Sequence, residues 1–179
     1  MKWIFGYGSL MWRPGFPFRE KRRATLPGHH RAFCRYSLRH RGTEDAPGMV
    51  VGLMPDGICR GYAFLPESGR EADVLDYLDE REGAGYRRVV LPLEIEGPEG
   101  RFRHVAWTYL PDPNHHTHAP NLQRPQIVEL IATGRGESGS AHEYLIALIE
   151  ELNRIGAPDA ELEAILAAVE RFRQGGGLP

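Results

Sequence analysis

A glycine-punctuated loop near the start of the chain has the composition of an anion-binding turn. Gly6 and Gly8 flank Tyr7 directly after a short apolar stretch, and Ser9 and Leu10 complete the loop. Glycine permits positive φ angles and lets a ligand approach the main chain closely. Successive N–H groups in such a turn can bind a carboxylate or a developing oxyanion. The same spacing fits a plain tight turn, but it does not fit a dinucleotide-binding motif, because a third glycine and a following helix are absent.

A glutamate at the end of a predicted helix is a candidate general base. Glu82 follows Arg81 and precedes a glycine-rich turn, Gly83-Ala84-Gly85. The helix dipole disfavours a carboxylate at this end, so we expect the pKa of Glu82 to be raised towards the range that a base needs near neutral pH. The alternative is a solvated surface glutamate beside Arg81.

Metal-dependent and nucleophile-dependent chemistry find little support in the sequence. Five histidines stand in polar stretches: His29, His30, His115, His116 and His118. Their spacing does not suit one helical face, and no cysteine or acid pair accompanies them, so we expect solvated loops and no metal site. Ser9, Ser37 and Cys34 could act as nucleophiles, but no Gly-x-Ser-x-Gly motif and no histidine placed as a base accompany them.

The composition is that of an ordinary globular chain of 179 residues, for which one domain over residues 1–179 is expected. The 22 Lys and Arg residues are balanced by 24 acids, which gives no support for a nucleic-acid partner. No apolar run reaches the roughly 20 residues that span a bilayer, and no signal-peptide pattern is present. With only Cys34 and Cys59, both in strand-like segments, a reducing cytoplasm is the predicted location.

Hydrophobic periodicity predicts an α+β domain, with a curved sheet or small barrel of about six strands followed by helices. The predicted strands are Trp3–Phe5, 22–37, Met49–Met54, Ile58–Leu65, Val89–Ile95 and Phe102–Leu110. Pro55-Asp56-Gly57 reads as a hairpin turn between two of them. The sequence from Pro111 to Pro125 predicts a loop.

Capping signals place four helices. Ser68 to Glu71 and Ser140 to Glu143 each match a capping box, and the first of these helices should end near Glu82. A short helix is predicted from Pro125 to Thr133, closed by Gly134. Asp159 should cap the last helix, which Gly175-Gly176-Gly177 should end.

Taken in order, segments spanning about residues 3–150 resemble the ChaC-type γ-glutamylcyclotransferases, which act on glutathione. The matching segments are Trp3–Trp12, Ser37–Gly42, Pro47–Gly48, Gly61–Ala63, Tyr77–Arg87, Gly136–Gly139 and Glu143–Leu145. Each segment alone is modest support, but the ordered set is specific. The stretch Asn114–His118 has no counterpart in the family pattern.

This resemblance implies a small β-barrel with surrounding helices and a cyclotransferase that cleaves glutathione to 5-oxoproline and cysteinylglycine. Glu82 falls at the family's catalytic glutamate, and no cofactor or metal is required. The implied substrate-binding residues are Ile4, Phe5, Gly6, Tyr7, Gly8, Ser9, Leu10, Arg39 and Tyr109. The expected partner is a small molecule, with no nucleic acid and no membrane.

Two further functions stay open at this point. A related cyclotransferase could act on other γ-glutamyl amines or dipeptides, because pocket depth cannot be read from one sequence. A non-catalytic γ-glutamyl-binding or regulatory protein, resembling cation-transport regulators, is the third. The presence of Glu82 argues against it, since a binding module needs no base there.

Overall fold

Five strands form a closed β-barrel in the order β1-β3-β2-β4-β5 in a computed structural model, which describes residues 2–175. Two further strands, of two residues each, form a separate small sheet. The strands are β1 Trp3–Gly6, β2 Phe18–Ser37, β3 Gly48–Pro66, β4 Tyr86–Gly97, β5 Gly100–Pro111, β6 Arg135–Gly136 and β7 Gly139–Ser140. The predicted α+β architecture with a small barrel is confirmed.

The first strand closes the barrel. β1 pairs antiparallel with β3, where Ile4 lies opposite Phe64, and parallel with β5, where Ile4 lies opposite Trp107. All four residues of β1 are buried, as expected for a short apolar strand with neighbours on both edges. Gly6 is the last residue of β1, so the glycine loop begins where this barrel strand ends.

The hairpin predicted at Pro55-Asp56-Gly57 is wrong, because β3 runs without interruption from Gly48 to Pro66. Asp56 and Gly57 do adopt the left-handed backbone that such a turn uses, with φ of 71° and 80°. However, β3 pairs with β1 and β2 on its two sides rather than folding back on itself. The left-handed pair therefore forms an irregularity inside one long strand, and His30 Nδ1 lies 3.0 Å from the Pro55 carbonyl oxygen there.

The hairpin of β4 and β5 is confirmed and is longer than predicted. Its register runs from Tyr86 opposite Pro111 to Gly97 opposite Gly100, which leaves a two-residue turn. Within this register Arg88 lies opposite Tyr109. The hairpin therefore fixes the position of one of the predicted site residues.

Four α-helices are described: α1 Glu71–Glu82, α2 Arg124–Thr133, α3 Ala141–Arg154 and α4 Ala160–Arg173. As predicted, α1 ends at Glu82, Gly134 closes α2, Ser140 caps α3 and Asp159 caps α4. Gly175 follows α4, whereas Gly176 and Gly177 lie outside the described residues.

The capping box predicted at Ser68 is wrong. The residue before α1 is Arg70, and no side chain caps the helix there. Gly69 has a φ of 79°, which a right-handed helix does not allow, so the helix cannot begin at the residue after Ser68. Glu71 is consequently the first residue of the helix and not the third, where a capping box needs it.

The chain divides into two compact units. The first comprises the residues up to Ala32 together with Leu53–His115, and the second comprises Phe33–Gly52 together with the residues from His116 onward. The first unit contains β1, β4, β5 and α1, and the second contains α2, α3 and α4. The chain passes between them inside β2, inside β3 and after His115. A single domain over residues 1–179 stays a prediction.

The cysteines are buried, as predicted, and both are free thiols. Burial raises the pKa of Cys34 to about 11, an effect that the Gly52 backbone and Arg35 partly offset.

The histidine prediction is partly wrong, because His29 and His30 lie on β2 and not in a loop. His29 is only half-exposed, and its Nδ1 is buried without a hydrogen-bond partner.

Candidate active site

The glycine loop turns directly from β1 into a short 3₁₀-helix, Ser9–Met11. Met11 N–H donates to the Gly8 carbonyl at 2.9 Å, and Arg13 N–H donates to the Ser9 carbonyl at 2.8 Å. A side chain on Gly6 would overlap Leu10 and the ring of Phe64. Glycine is therefore required where the strand meets the loop, because the loop folds back closely over it.

The apolar residues of the loop and of β1 belong to the hydrophobic core. Ile4 and Leu10 are buried in one cluster with Phe16, Phe64, Val74, Leu78 and Tyr109. Phe5 is 1% exposed. Among the predicted binding residues, Ile4, Phe5 and Leu10 can therefore offer a ligand their main-chain atoms and little else.

Two cations on β2 hold carbonyl groups in this loop and directly after it. Arg31 Nε donates to the Tyr7 carbonyl at 2.7 Å, and its Nη2 donates to the Arg60 carbonyl at 2.6 Å. Lys21 Nζ donates to the Met11 carbonyl at 2.9 Å. With these carbonyls held by β2 side chains, the loop backbone has a fixed orientation.

A chain of hydrogen bonds runs from the loop to α1. The Tyr7 hydroxyl donates to the Tyr109 carbonyl at 2.8 Å, and the Tyr109 hydroxyl donates to Asp79 Oδ1 at 2.7 Å. Asp79 Oδ2 also lies 2.9 Å from Arg88 Nη1. Burial, together with the Asp79 carboxylate, raises the pKa of Tyr109 far above its usual value, so this hydroxyl stays protonated.

Glu82 is the last residue of α1 and is half-buried. Arg81 directly precedes it, and its Nη2 donates to Ser9 Oγ at 2.9 Å. The C-terminal end of α1, with its candidate base, is thus attached to the glycine loop by a side-chain hydrogen bond. The structure thus connects the glycine loop and Tyr109 to α1, the helix that ends at Glu82.

Arg39 is not in the same unit as the glycine loop. It belongs to the second unit, where its Nε donates to Glu137 Oε2 at 2.9 Å in an exposed ion pair. His40 and Ser138 form a second hydrogen bond alongside it. The role of Arg39 in substrate binding stays a prediction.

Several residues of this site were not found by sequence reasoning. Arg81 entered only as the neighbour of a surface glutamate, although its spacing of four residues from Tyr77 on a helix was a usable signal. Asp79 and Arg88 carried no motif at all. Their contacts with Tyr109 depend on the β4–β5 register and on how α1 packs.

Within residues 2–175, no group of three or more His, Cys, Asp or Glu side chains is arranged to hold a metal ion. No helix in the described part of the chain is long and apolar enough to cross a membrane.

The chain is similar to known proteins over nearly its whole length. Residues 2–172 match the model of the ChaC-like protein family. The chain belongs to the ChaC-like family. A glutathione-specific γ-glutamylcyclotransferase of Escherichia coli K12 is 35% identical over 171 residues, which cover 95% of this chain and 73% of that relative. The human glutathione-specific γ-glutamylcyclotransferase 1 is 34% identical over 178 residues, covering 93% and 78%.

The fold of this ChaC-like chain also matches a solved structure. The crystal structure of a yeast γ-glutamylcyclotransferase specific to glutathione superimposes with a TM-score of 0.88, covering 97% of each chain at 23% identity. At that identity the match establishes the fold alone. The family resemblance and the barrel fold predicted from the sequence are both confirmed.

Proposed function

We propose that this ChaC-like protein is a glutathione-specific γ-glutamylcyclotransferase, which converts glutathione to 5-oxoproline and cysteinylglycine. The observation that carries the proposal is the attachment of the glycine loop to the end of α1, where Arg81, the residue before Glu82, donates from Nη2 to Ser9 Oγ. The names of the relatives point to the same reaction.

The substrate supplies its own nucleophile in this reaction. The α-amine of the γ-glutamyl group attacks the γ-carbonyl carbon and forms the C–N bond of a five-membered ring, and the amide bond to the cysteine nitrogen then breaks. Protons given up by the α-amine are returned to the cysteine nitrogen, so atoms and charge balance. Because the attack is intramolecular, the protein needs to hold the substrate folded rather than bring two molecules together.

Glu82 is the proton carrier in this proposal. The α-amine is mostly protonated at neutral pH and cannot attack until a base removes a proton. The half-buried carboxylate of Glu82, at the end of α1, can take that proton and later deliver it to the leaving nitrogen. General acid–base catalysis of this kind typically contributes about 10² to 10⁴-fold in rate.

The glycine loop is the substrate cradle in this proposal. Arg31 holds the Tyr7 carbonyl and Lys21 holds the Met11 carbonyl just after the loop. We assign the N–H groups of Gly8 and Ser9 as the donors to the ligand. These donors would bind the γ-carbonyl oxygen as it becomes negative. Both cysteines are free thiols, in keeping with a reducing cytoplasm as the place of action.

The test is the detection of 5-oxoproline by mass spectrometry after incubation of the purified protein with glutathione and a chelator. We expect product from the wild type and a loss of about 10² to 10⁴-fold in kcat for Glu82→Gln, which keeps the side-chain shape but cannot accept the proton. Glu80→Gln, on an exposed position of the same helix, is the matched control and should retain full activity.

The same assay separates the other functions. Faster turnover of γ-glutamyl-alanine than of glutathione would move the substrate class to γ-glutamyl dipeptides. Binding of glutathione without any product would make the protein a binding module. Near-normal activity of Glu82→Gln would remove Glu82 from the mechanism, and loss of wild-type product under chelation would show a metal requirement.

A further inference from the structure

Arg81 makes all of its hydrogen bonds to neutral groups, and most of these lie in the glycine loop and the turn after it. Its Nη1 donates to the Arg13 carbonyl at 2.7 Å and to the Pro14 carbonyl at 2.9 Å. Its Nη2 donates to Ser9 Oγ at 2.9 Å. A cation near the end of a helix already interacts favourably with the helix dipole, but that effect does not require a fork of bonds to another segment. The hydrogen bonds of Arg81 to Ser9, Arg13 and Pro14 therefore hold the glycine loop and the turn after it against α1.

The contact with Arg81 determines which way the Ser9 hydroxyl proton points. A guanidinium has five N–H donors and no acceptor, so Ser9 Oγ must accept this hydrogen bond. The single proton of the hydroxyl cannot point back at Arg81 and is left to donate in another direction. Ser9 is thus prepared as a hydrogen-bond donor to whatever occupies the loop.

The turn after the loop is shaped to let this fork form. Gly15 has a φ of 76°, and a side chain there would overlap the Tyr77 hydroxyl. That hydroxyl itself accepts a bond of 3.1 Å from Arg81 Nη1. The chain at Gly15 therefore comes close to α1 at the one turn of the helix where Arg81 can reach both Ser9 and the Pro14 carbonyl.

We propose that Arg81 is a positioning residue of the reaction, which aims the Ser9 hydroxyl proton at the substrate γ-carbonyl oxygen and holds the loop at a fixed distance from Glu82. This inference rests on the proposed cyclotransferase function. It assigns Ser9 a donor role towards the oxygen that becomes negative in the transition state. Because such a donor acts mainly in the transition state, the effect belongs in kcat rather than in KM.

The test is steady-state kinetics of Arg81→Lys with glutathione. Lysine keeps the positive charge beside Glu82, but a single ammonium cannot reach Ser9 Oγ and the two carbonyls at once. We expect kcat to fall by about 10 to 100-fold, as for a slightly misplaced group, with KM changed by less than about threefold. Arg70→Lys, at the other end of α1 in an exposed ion pair with Asp73, is the matched control and should behave as wild type. Thermal melting of each variant checks that it folds.

A double-variant cycle tests whether Arg81 acts through Ser9. If it does, Arg81→Lys combined with Ser9→Ala should lower kcat little more than the worse single variant, because both remove the same interaction. Additive losses in kcat, full activity of Arg81→Lys, or an effect confined to KM would each overturn the proposal. A wild type that makes no 5-oxoproline would overturn the cyclotransferase function as well, so the two failures are distinguishable.

Discussion

At the scale of the single residue, Tyr109 is a buried polar residue whose hydrogen bonds connect two elements of the site. It is 4% exposed, its hydroxyl donates to Asp79, and its carbonyl accepts from Tyr7. Arg88 forms an ion pair with the same Asp79 carboxylate. A buried hydroxyl without a partner would destabilise the fold, whereas here the same bond attaches β5 to α1 three residues before Glu82.

Replacement of this hydroxyl should therefore cost stability. Tyr109→Phe leaves the bond from Tyr7 to the backbone intact but removes the donor from Asp79, so we expect a loss of about 1–2 kcal/mol in the free energy of unfolding. Urea denaturation measures it. Tyr36→Phe is the control, since the Tyr36 hydroxyl makes no hydrogen bond within the described residues, and it should change stability by less than about 0.5 kcal/mol. Equal effects of the two variants would contradict the role given to the bond.

At the scale of the element, sequence patterns predicted what is local and missed what depends on a neighbouring element. The β4–β5 hairpin and the caps at Ser140 and Asp159 were predictable, because each depends on residues close in sequence. The hairpin predicted at Pro55-Asp56-Gly57 is wrong because residue types that favour a left-handed backbone occur both in turns and in irregularities inside a strand. Which of the two forms depends on whether neighbouring strands pair with both flanks, and that is a tertiary fact.

The two capping-box patterns give a matched prediction for stability. Ser140 Oγ accepts from Glu143 N–H at 3.1 Å, whereas no side chain caps α1. We expect Ser140→Ala to destabilise the protein by about 1 kcal/mol and Ser68→Ala, with the same pattern but no cap, to change little. Comparison of the two midpoints of urea denaturation measures this difference. Similar costs would contradict the structure at Ser68.

The capping box of Ser140 and Glu143 makes the stability of α3 depend on pH. Glu143 Oε2 accepts from Ser140 N–H at 2.8 Å, and this backbone bond lowers the pKa of Glu143. A carboxyl with a lowered folded-state pKa contributes stability above its unfolded pKa, and the contribution is lost as the pH falls through the folded value. Glu143→Gln should therefore flatten the acid side of the profile of melting temperature against pH, relative to wild type. An unchanged slope below about pH 4.3, the ordinary pKa of a glutamate, would contradict this.

At the scale of the whole molecule, the site is only partly readable from the sequence. The glycine loop and Glu82 each stand in a short motif, so both can be predicted as candidates from the sequence. The hydrogen bonds that connect them cannot be predicted from the sequence, because Arg81 and Ser9 are separated by 72 residues, and Tyr109 and Asp79 by 30. No periodicity or composition reports contacts at such separations. For the same reason, the sequence alone does not show whether Arg39, which lies in the second unit, takes part in the site.

The chain passes between the two units twice inside a strand, between Ala32 and Phe33 in β2 and between Gly52 and Leu53 in β3. A continuous strand cannot fray at one point without losing hydrogen bonds on both sides, so we expect one cooperative unfolding transition for the whole chain. All three tryptophans lie in the first unit and three of the four described α-helices in the second, so tryptophan fluorescence and circular dichroism at 222 nm follow different units. Leu148→Ala, at a fully buried position of the second unit, should lower stability by about 2–5 kcal/mol and shift both midpoints equally. A fluorescence midpoint that stays in place while the dichroism midpoint falls would show two independently folding units.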